Sequence, residues 1–388
     1  MAGPSERARI GRALLALCGH RSDEAAALGE AAWGDLDQLA HEHRLRPFLH
    51  GREMRGELPE VPEAIARAWQ ETHRANAVTM LVQRRALLHA VDTLALSAIG
   101  CVALKGAALA WTVWPAPVER AMRDIDLLVD RENAARAYIA LRAAGWEGPE
   151  LGEAALAAFA ADETHFPPLF SADGVMCELH ARVWGKAPLP GSPMPRSDEA
   201  HMLGNARPSE KLGAAIPSNE DMLAHLVVHA ACAHLLNVGP QVLVDVDLWC
   251  ARKPLDWPAF WQRARRDGFE RPAALVCALV DRWRRPGFMA ESACPVPVAS
   301  DLLDESELLL VQNLDARKDV SVIASVAQGR PGGRLAQHPL DRAAGGAGPM
   351  ARLGQITARA RSIGRSLLSP ATRRDGMATA RLQKWMEG

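Results

Sequence analysis

Two aspartates inside an apolar run constrain this chain more than any other feature. The stretch DIDLLVD (residues 124–130) has the composition of a buried strand, yet Asp124 and Asp126 stand two residues apart within it. Side chains alternate along a strand, so both carboxylates point to one face while Ile125 and Leu127 point to the other. Neighbouring carboxylates repel, and one of them takes up a proton unless a cation shares the site. Magnesium suits such a place because it prefers oxygen ligands, keeps several waters and takes one or two carboxylates plus substrate phosphates.

The flanking text supplies the neighbours such a strand needs. IGCVALKG, from Ile99, reads as a short apolar strand ending at Gly106, and AALAWTV as a short helix stopped near Pro115. RENAARAYIALRAAGW is a helix closed by Gly145, and HFPPLF with GVMCELHARVW forms an extended pair joined by the turn residues SADG. On both sides the text is helical, with apolar residues three and four apart in runs such as AVTMLVQRRALLHAVDTLALSA. Ser218 is the expected N-cap where helices resume, with Asp221 three residues on as a weaker capping box. The expected class is α+β, mainly helical. Its organisation is an N-terminal helical lobe (1–96), an α/β core (97–185), a Pro-, Gly- and Ser-rich linker or flap (186–217), a C-terminal helical lobe (218–327) and a Gly/Arg-rich tail (328–388). Residues 329–349 have a disordered composition, and Leu353, Ile356, Ala360, Ile363 and Leu367 follow at helical spacing with arginines between them. Packing on the body is favoured over membrane contact for that amphipathic segment.

A third acid is expected from a neighbouring strand, and Glu178 in VMCELH is again a charge within an apolar run, with His180 on the same face. Two divalent ions roughly 3.5–4 Å apart on such carboxylates would clamp the attacking and leaving oxygens of a phosphoryl or nucleotidyl transfer. A strand ending in Lys105-Gly106 and turning into a helix brings backbone N–H groups toward phosphates. Lys105 is one of six lysines against thirty-nine arginines, and it reads either as an ammonium near a phosphate or as a solvated strand end. Arg120 and Arg123 sit where guanidinium forks could hold a triphosphate or lock onto the aspartates. Glu119 reads as a solvated loop charge.

Other classes find less support. The net charge of −1 and a pI near 6.9 give no global pull toward nucleic acid or an anionic membrane, and the aromatic residues show no interleaving with basic ones. Seven cysteines lie far apart without a Cys-x-x-Cys pair, which fits a reducing cytoplasm. The short apolar run near the N-terminus ends in His, Arg, Asp and Glu, so no signal peptide is expected. His225 and His229 have the spacing of a zinc pair, but the glutamate of His-Glu-x-x-His is absent and core histidines are favoured. In VLVDVDLWC, Asp245 and Asp247 lie in helical text, where residues two apart diverge. A structural role is expected for Asp247, with Asp245 left open.

The series LKGAALAWTVWP, VERAMRDIDLLVD, CELHARVW and EDMLAHLVVHAACAH with VLVDVDLWC resembles the bacterial nucleotidyltransferase family of the DNA-polymerase-β-like superfamily, an uncharacterised branch sometimes encoded beside lasso-peptide genes. The resemblance covers about residues 80–270. It implies a small mixed-sheet polymerase-β-like core between helical lobes, and transfer of a nucleoside monophosphate from a triphosphate to a metabolite, peptide or protein acceptor. It matches Asp124 and Asp126 to the metal pair, Glu178 to the third carboxylate and Gly106 to the phosphate-side glycine; Arg120 matches the family pattern better than Arg123, Lys105 and Arg120 give weaker support in positioning the triphosphate, and two Mg2+ ions are expected. Ala107 stands where the superfamily usually has Ser or Gly, and the loop before Asp124 is longer than usual. The alternative is a catalytically silent nucleotide-binding or accessory protein acting through its helical lobes.

Overall fold

The computed structural model describes residues 4–26, 28–185, 194–195, 198–312 and 370–388, with single positions at 320, 323, 324 and 327. Four helices come first: α1 (Pro4–Leu17), α2 (Glu30–Glu42), α3 (Arg46–Met54) and the 34-residue α4 (Glu63–Leu96). Helix α4 buries Trp69, Asn76, Met80, Gln83, Leu87, Ala90 and Leu94, a stripe at the 3.6-residue period. Its two polar members reach the loop leading into the acidic strand. Asn76 Nδ2 donates to Val118 O at 2.6 Å, and Gln83 Nε2 donates to Met122 O at 3.0 Å.

The α/β unit follows the order read from the sequence. Strand β1 (Cys101–Leu104) runs straight into α5 (Lys105–Thr112), and β2 (Asp124–Val129) follows the loop. Helices α6 (Ala134–Ala143) and α7 (Glu153–Asp162) precede β3 (Leu169–Phe170) and β4 (Met176–His180). Gly145 lies just past α6 at φ 94°, and Gly174 at φ 76° closes the Ser171–Gly174 turn between β3 and β4. The sheet order is β1-β2-β4-β3, with β2 and β4 parallel and the other pairs antiparallel. Strand β2 is thus internal, and Ile125, Leu127, Leu128 and Val129 are fully buried.

Part of the stretch expected as a linker or flap is regular structure: α8 (Glu199–Gly204) and a hairpin of β5 (Arg207–Ser209) and β6 (Ala214–Ile216). The proline content hid these elements because each is only three to six residues long and none carries enough periods to show a pattern. Helices α9 (Asn219–Val227), α10 (Gln241–Arg252), α11 (Trp257–Asp267), α12 (Glu270–Trp283), α13 (Phe288–Glu291) and α14 (Ser300–Leu310) follow, with α15 (Pro370–Glu387) last. Ser218 caps α9: its Oγ accepts from Asp221 N–H at 3.3 Å and donates to Asp221 Oδ2 at 2.6 Å. Among the described residues the main hydrophobic core joins residues from Ile10 to Leu382, with a small second cluster of Leu235, Ala324 and Ala380. Among the described residues no helix is long and apolar enough to cross a membrane. The amphipathic pattern from Leu353 to Leu367 and the Gly-rich stretch before it lie outside the described residues.

Candidate active site

The sheet register assembles the acids. Leu104 of β1 lies opposite Asp126, and Asp126 lies opposite Glu178 across the parallel pair. His180, two residues on from Glu178, shares its face. The donor atoms of Asp126, Glu178 and His180 all lie within 4.8 Å of one another. His180 Nε2 stands 2.8 Å from Asp126 Oδ1 and 3.7 Å from Glu178 Oε2. Lys105, the first residue of α5, donates from Nζ to the same Asp126 oxygen at 2.8 Å. Asp124 opens β2 and lies in the field of Asp126, Lys105 and Glu178, outside the tight group.

These neighbours set the charges. Burial raises the carboxyl pKa of Asp126, but Lys105 and His180 outweigh it and hold the group well below the carboxylate range. Glu178 is also lowered: burial opposes ionisation, and the His180 hydrogen bond and nearby His165 overcome it. Asp124 moves the other way, raised by burial and by the charge of Asp126. Lys105 and His180 are both raised, because Asp126 more than offsets the burial that disfavours their charged forms. Asp126 on one side and Lys105 with His180 on the other therefore favour each other's charged forms, while the like charges within the cluster oppose one another.

The cluster floors a cleft of about 590 Å³. Arg44, Arg123, His225, His229 and Asn237 are among the other lining residues. Burial pushes His225 down to about 3 and His229 well below the usual imidazole value, so both rings are neutral at physiological pH. Helix α9 passes into a π-helical turn, Val228–Ala233, that carries His229. The His225 and His229 rings are 6.0 Å apart, and neither belongs to the metal-type donor group found among the described residues.

Several residues singled out in the sequence have partners that no local pattern announces, while Lys105, Gly106, Arg120 and Arg123 line the cleft with Asp124 and Asp126. Arg120, expected beside a triphosphate or the strand aspartates, is engaged by Asp245 of α10: Nε donates to Oδ1 at 2.8 Å and Nη2 to Oδ2 at 2.7 Å. Trp114 Nε1 donates to the same Asp245 Oδ1 at 2.8 Å. Gly106 lines the cleft and lies against this pair, since a Cβ there would stand 2.4 Å from Arg120 Nη1. Lys105 is buried on Asp126 rather than free at a strand end. Glu119 is no solvated loop charge. It is 4 % exposed and accepts from Arg55 Nη1 at 2.7 Å and Nη2 at 3.1 Å, because α3 packs over this loop. Ala107 is buried in α5, so its missing hydroxyl takes nothing from the cleft. Asp247 pairs with Arg284 and Arg285. Arg123 is exposed at the cleft without an ion pair among the described residues. Arg44 and His165 were not singled out at all, because nothing in HEHRLRPF or ETHFPP distinguishes them locally.

Asp126 and Glu178 converging at a cleft, with Asp124 on the same strand face, form an oxygen donor set that fits a hard divalent cation, and His180 Nε2 lies within reach of the first two. His180 Nδ1 is buried without a hydrogen-bond partner, which leaves Nε2 as the nitrogen committed to the acids. A small mixed sheet that gathers such acids in a cleft also lined by arginines is consistent with the enzymes that transfer phosphorus-containing groups. The particular family follows from the chain as a whole: the model of an uncharacterised nucleotidyltransferase family matches residues 29–285, and the chain belongs to that family. The match extends beyond the segment in which the resemblance was legible and takes in α2, Arg44 and α12. No curated protein and no solved structure matches the chain.

Proposed function

We propose that the protein transfers a nucleoside monophosphate from a nucleoside triphosphate to an acceptor hydroxyl, releasing pyrophosphate, with Asp124, Asp126 and Glu178 as ligands for Mg2+. The observation that carries this reading is the pairing of Asp126 with Glu178 across β2 and β4, at the floor of a cleft large enough for a nucleotide. When bound, divalent ions would polarise the α-phosphate and lower the pKa of the acceptor hydroxyl. The protein's own groups do the positioning. Lys105 and His180 grip Asp126 Oδ1 from two sides, which fixes the carboxylate without a search over rotamers. Glu178, with its pKa held down, stays ionised at neutral pH. Neutral His225 and His229 add no charge that would compete with a metal.

The test supplies ATP, GTP, CTP and UTP labelled at the α-phosphate, with Mg2+ and fractionated cell extract. Label should move to an acceptor with the parent chain and not with Asp126→Asn. Transfer of the terminal phosphate alone would replace this reading with kinase chemistry. Failure of both the parent and Asp124→Asn to bind any nucleotide would leave the accessory-protein reading in its place.

A further inference from the structure

The cleft has a second charged feature, opposite in sign to its floor and built by a different part of the chain. Arg44 closes α2 in a Schellman turn: its N–H donates to His41 O at 3.0 Å, and Leu45 N–H donates to Ala40 O at 2.8 Å. The turn places Arg44 at φ 58°, a left-handed conformation that glycine adopts freely and a side chain resists. An arginine held there lines the cleft, with guanidinium Nη1 buried and without a hydrogen-bond partner. No ion pair is formed by Arg44 among the described residues. Its charged surroundings are mostly of its own sign, Arg123 and Arg120, countered by Asp124.

A second donor faces the same space. Asn237, 7 % exposed, lines the cleft with Nδ2 unpartnered. It follows Leu235 and Leu236, both at positive φ, in the loop that packs beside α2: a Cβ on Gly239 would stand 2.8 Å from His43 Nδ1. Strained backbone, a half-buried guanidinium with one buried N–H group unmet and an unmet amide donor each cost stability. Arg44 and Asn237 line the same cleft, where a bound anion would satisfy both.

We infer that Arg44, with Arg123 and Asn237, forms the subsite that holds the β- and γ-phosphates of the triphosphate, so that the N-terminal helical layer rather than the strand–helix turn at Gly106 grips the leaving pyrophosphate. This rests on the nucleotidyl-transfer reading for its substrate and on the Arg44 geometry for its place. Gly106 is packed against Arg120 and Met122, and Arg120 is committed to Asp245, which among the described residues lining the cleft leaves Arg44 and Arg123 as the guanidinium groups free to fork onto phosphate oxygens.

The experiment measures binding of inorganic tripolyphosphate to the full chain by titration calorimetry in chelator, together with the thermal unfolding midpoint. The parent should bind, Arg44→Gly should weaken binding by about tenfold to a hundredfold, and Arg44→Lys should retain part of the affinity. Because glycine relieves the left-handed turn, the midpoint of Arg44→Gly should equal or exceed that of the parent, which separates lost binding from lost folding. Tripolyphosphate binding by Arg44→Gly as tight as by the parent, no binding by the parent, or a lower midpoint for Arg44→Gly would overturn the subsite. If Arg44→Gly binds like the parent while label still moves from the α-phosphate, the subsite falls and the transfer reading stands. If Arg44→Gly loses tripolyphosphate while no monophosphate is transferred by the parent, the transfer reading falls and the subsite stands.

Discussion

Replacing Asp245 by alanine should unfold much of the margin on which this protein lives. Asp245 is 3 % exposed and Arg120 is 7 % exposed, and the pair is joined by two hydrogen bonds of 2.8 and 2.7 Å. Removing one partner of a buried pair leaves the other charge uncompensated, at about 3–5 kcal/mol. Trp114 Nε1, which shares Asp245 Oδ1, loses its acceptor as well, adding about 1 kcal/mol. The expected total of about 4–6 kcal/mol is a large share of the roughly 5–15 kcal/mol by which folded chains are stable. Urea unfolding followed by circular dichroism at 222 nm measures it. The double variant Arg120→Met with Asp245→Leu should recover most of the loss, because neither charge is then stranded. A single-variant cost under about 1 kcal/mol would refute the scaffold role argued for Arg120. So would an Arg120→Met variant that keeps full stability and loses only nucleotide affinity.

Gly106→Ala should destabilise by about 1–3 kcal/mol, because the new methyl group meets Arg120 Nη1 at 2.4 Å and Met122 Sδ at 3.1 Å. Chemical denaturation that finds the variant as stable as the parent would show that the neighbours yield freely. Stability should also fall on acidification from about pH 6.5. His43 and His225 are held by burial at about 4 and about 3, below their unfolded value, so their contribution is complete above that value and is lost as pH falls toward the folded one. At about pH 5 the loss is about 2 kcal/mol for each, and His225→Leu should remove about one proton from the slope. His180, shifted upward, acts in the opposite sense: its contribution is present below the unfolded value and fades as pH rises through the folded one. Unfolding free energies at several pH values for parent and variant decide this, and an unchanged slope in His225→Leu would reject it.

Much of the core was legible because its signals are local. Turn residues placed the β3–β4 hairpin at SADG, Gly145 marked the end of α6, and Ser218 with Asp221 marked the start of α9. Charges inside apolar strand text singled out Asp126 and Glu178, which the fold sets side by side. What escaped depends on partners far away in the chain. Arg120 meets Asp245 across 125 residues, Glu119 meets Arg55 across 64 and Lys105 meets Asp126 across 21. No periodicity reports such pairings, so Arg120 read as a phosphate ligand and Glu119 as solvated. Arg44 escaped for a further reason: its turn has the hydrogen bonds of a glycine-closed helix end, but its residue type gives no hint of that.

The parallel pairing of β2 with β4 also bears on how the chain folds. Asp126 and Glu178 belong to strands separated by two helices, so they meet only after a long crossover has closed. A shift of the pairing by one residue would bring Cys177 opposite Asp126 and turn Glu178 toward the core side, an arrangement the apolar interior penalises. Nascent or partly collapsed forms of the chain therefore hold Asp126 and Glu178 apart, and the acidic pair at the cleft is completed late, together with the native topology.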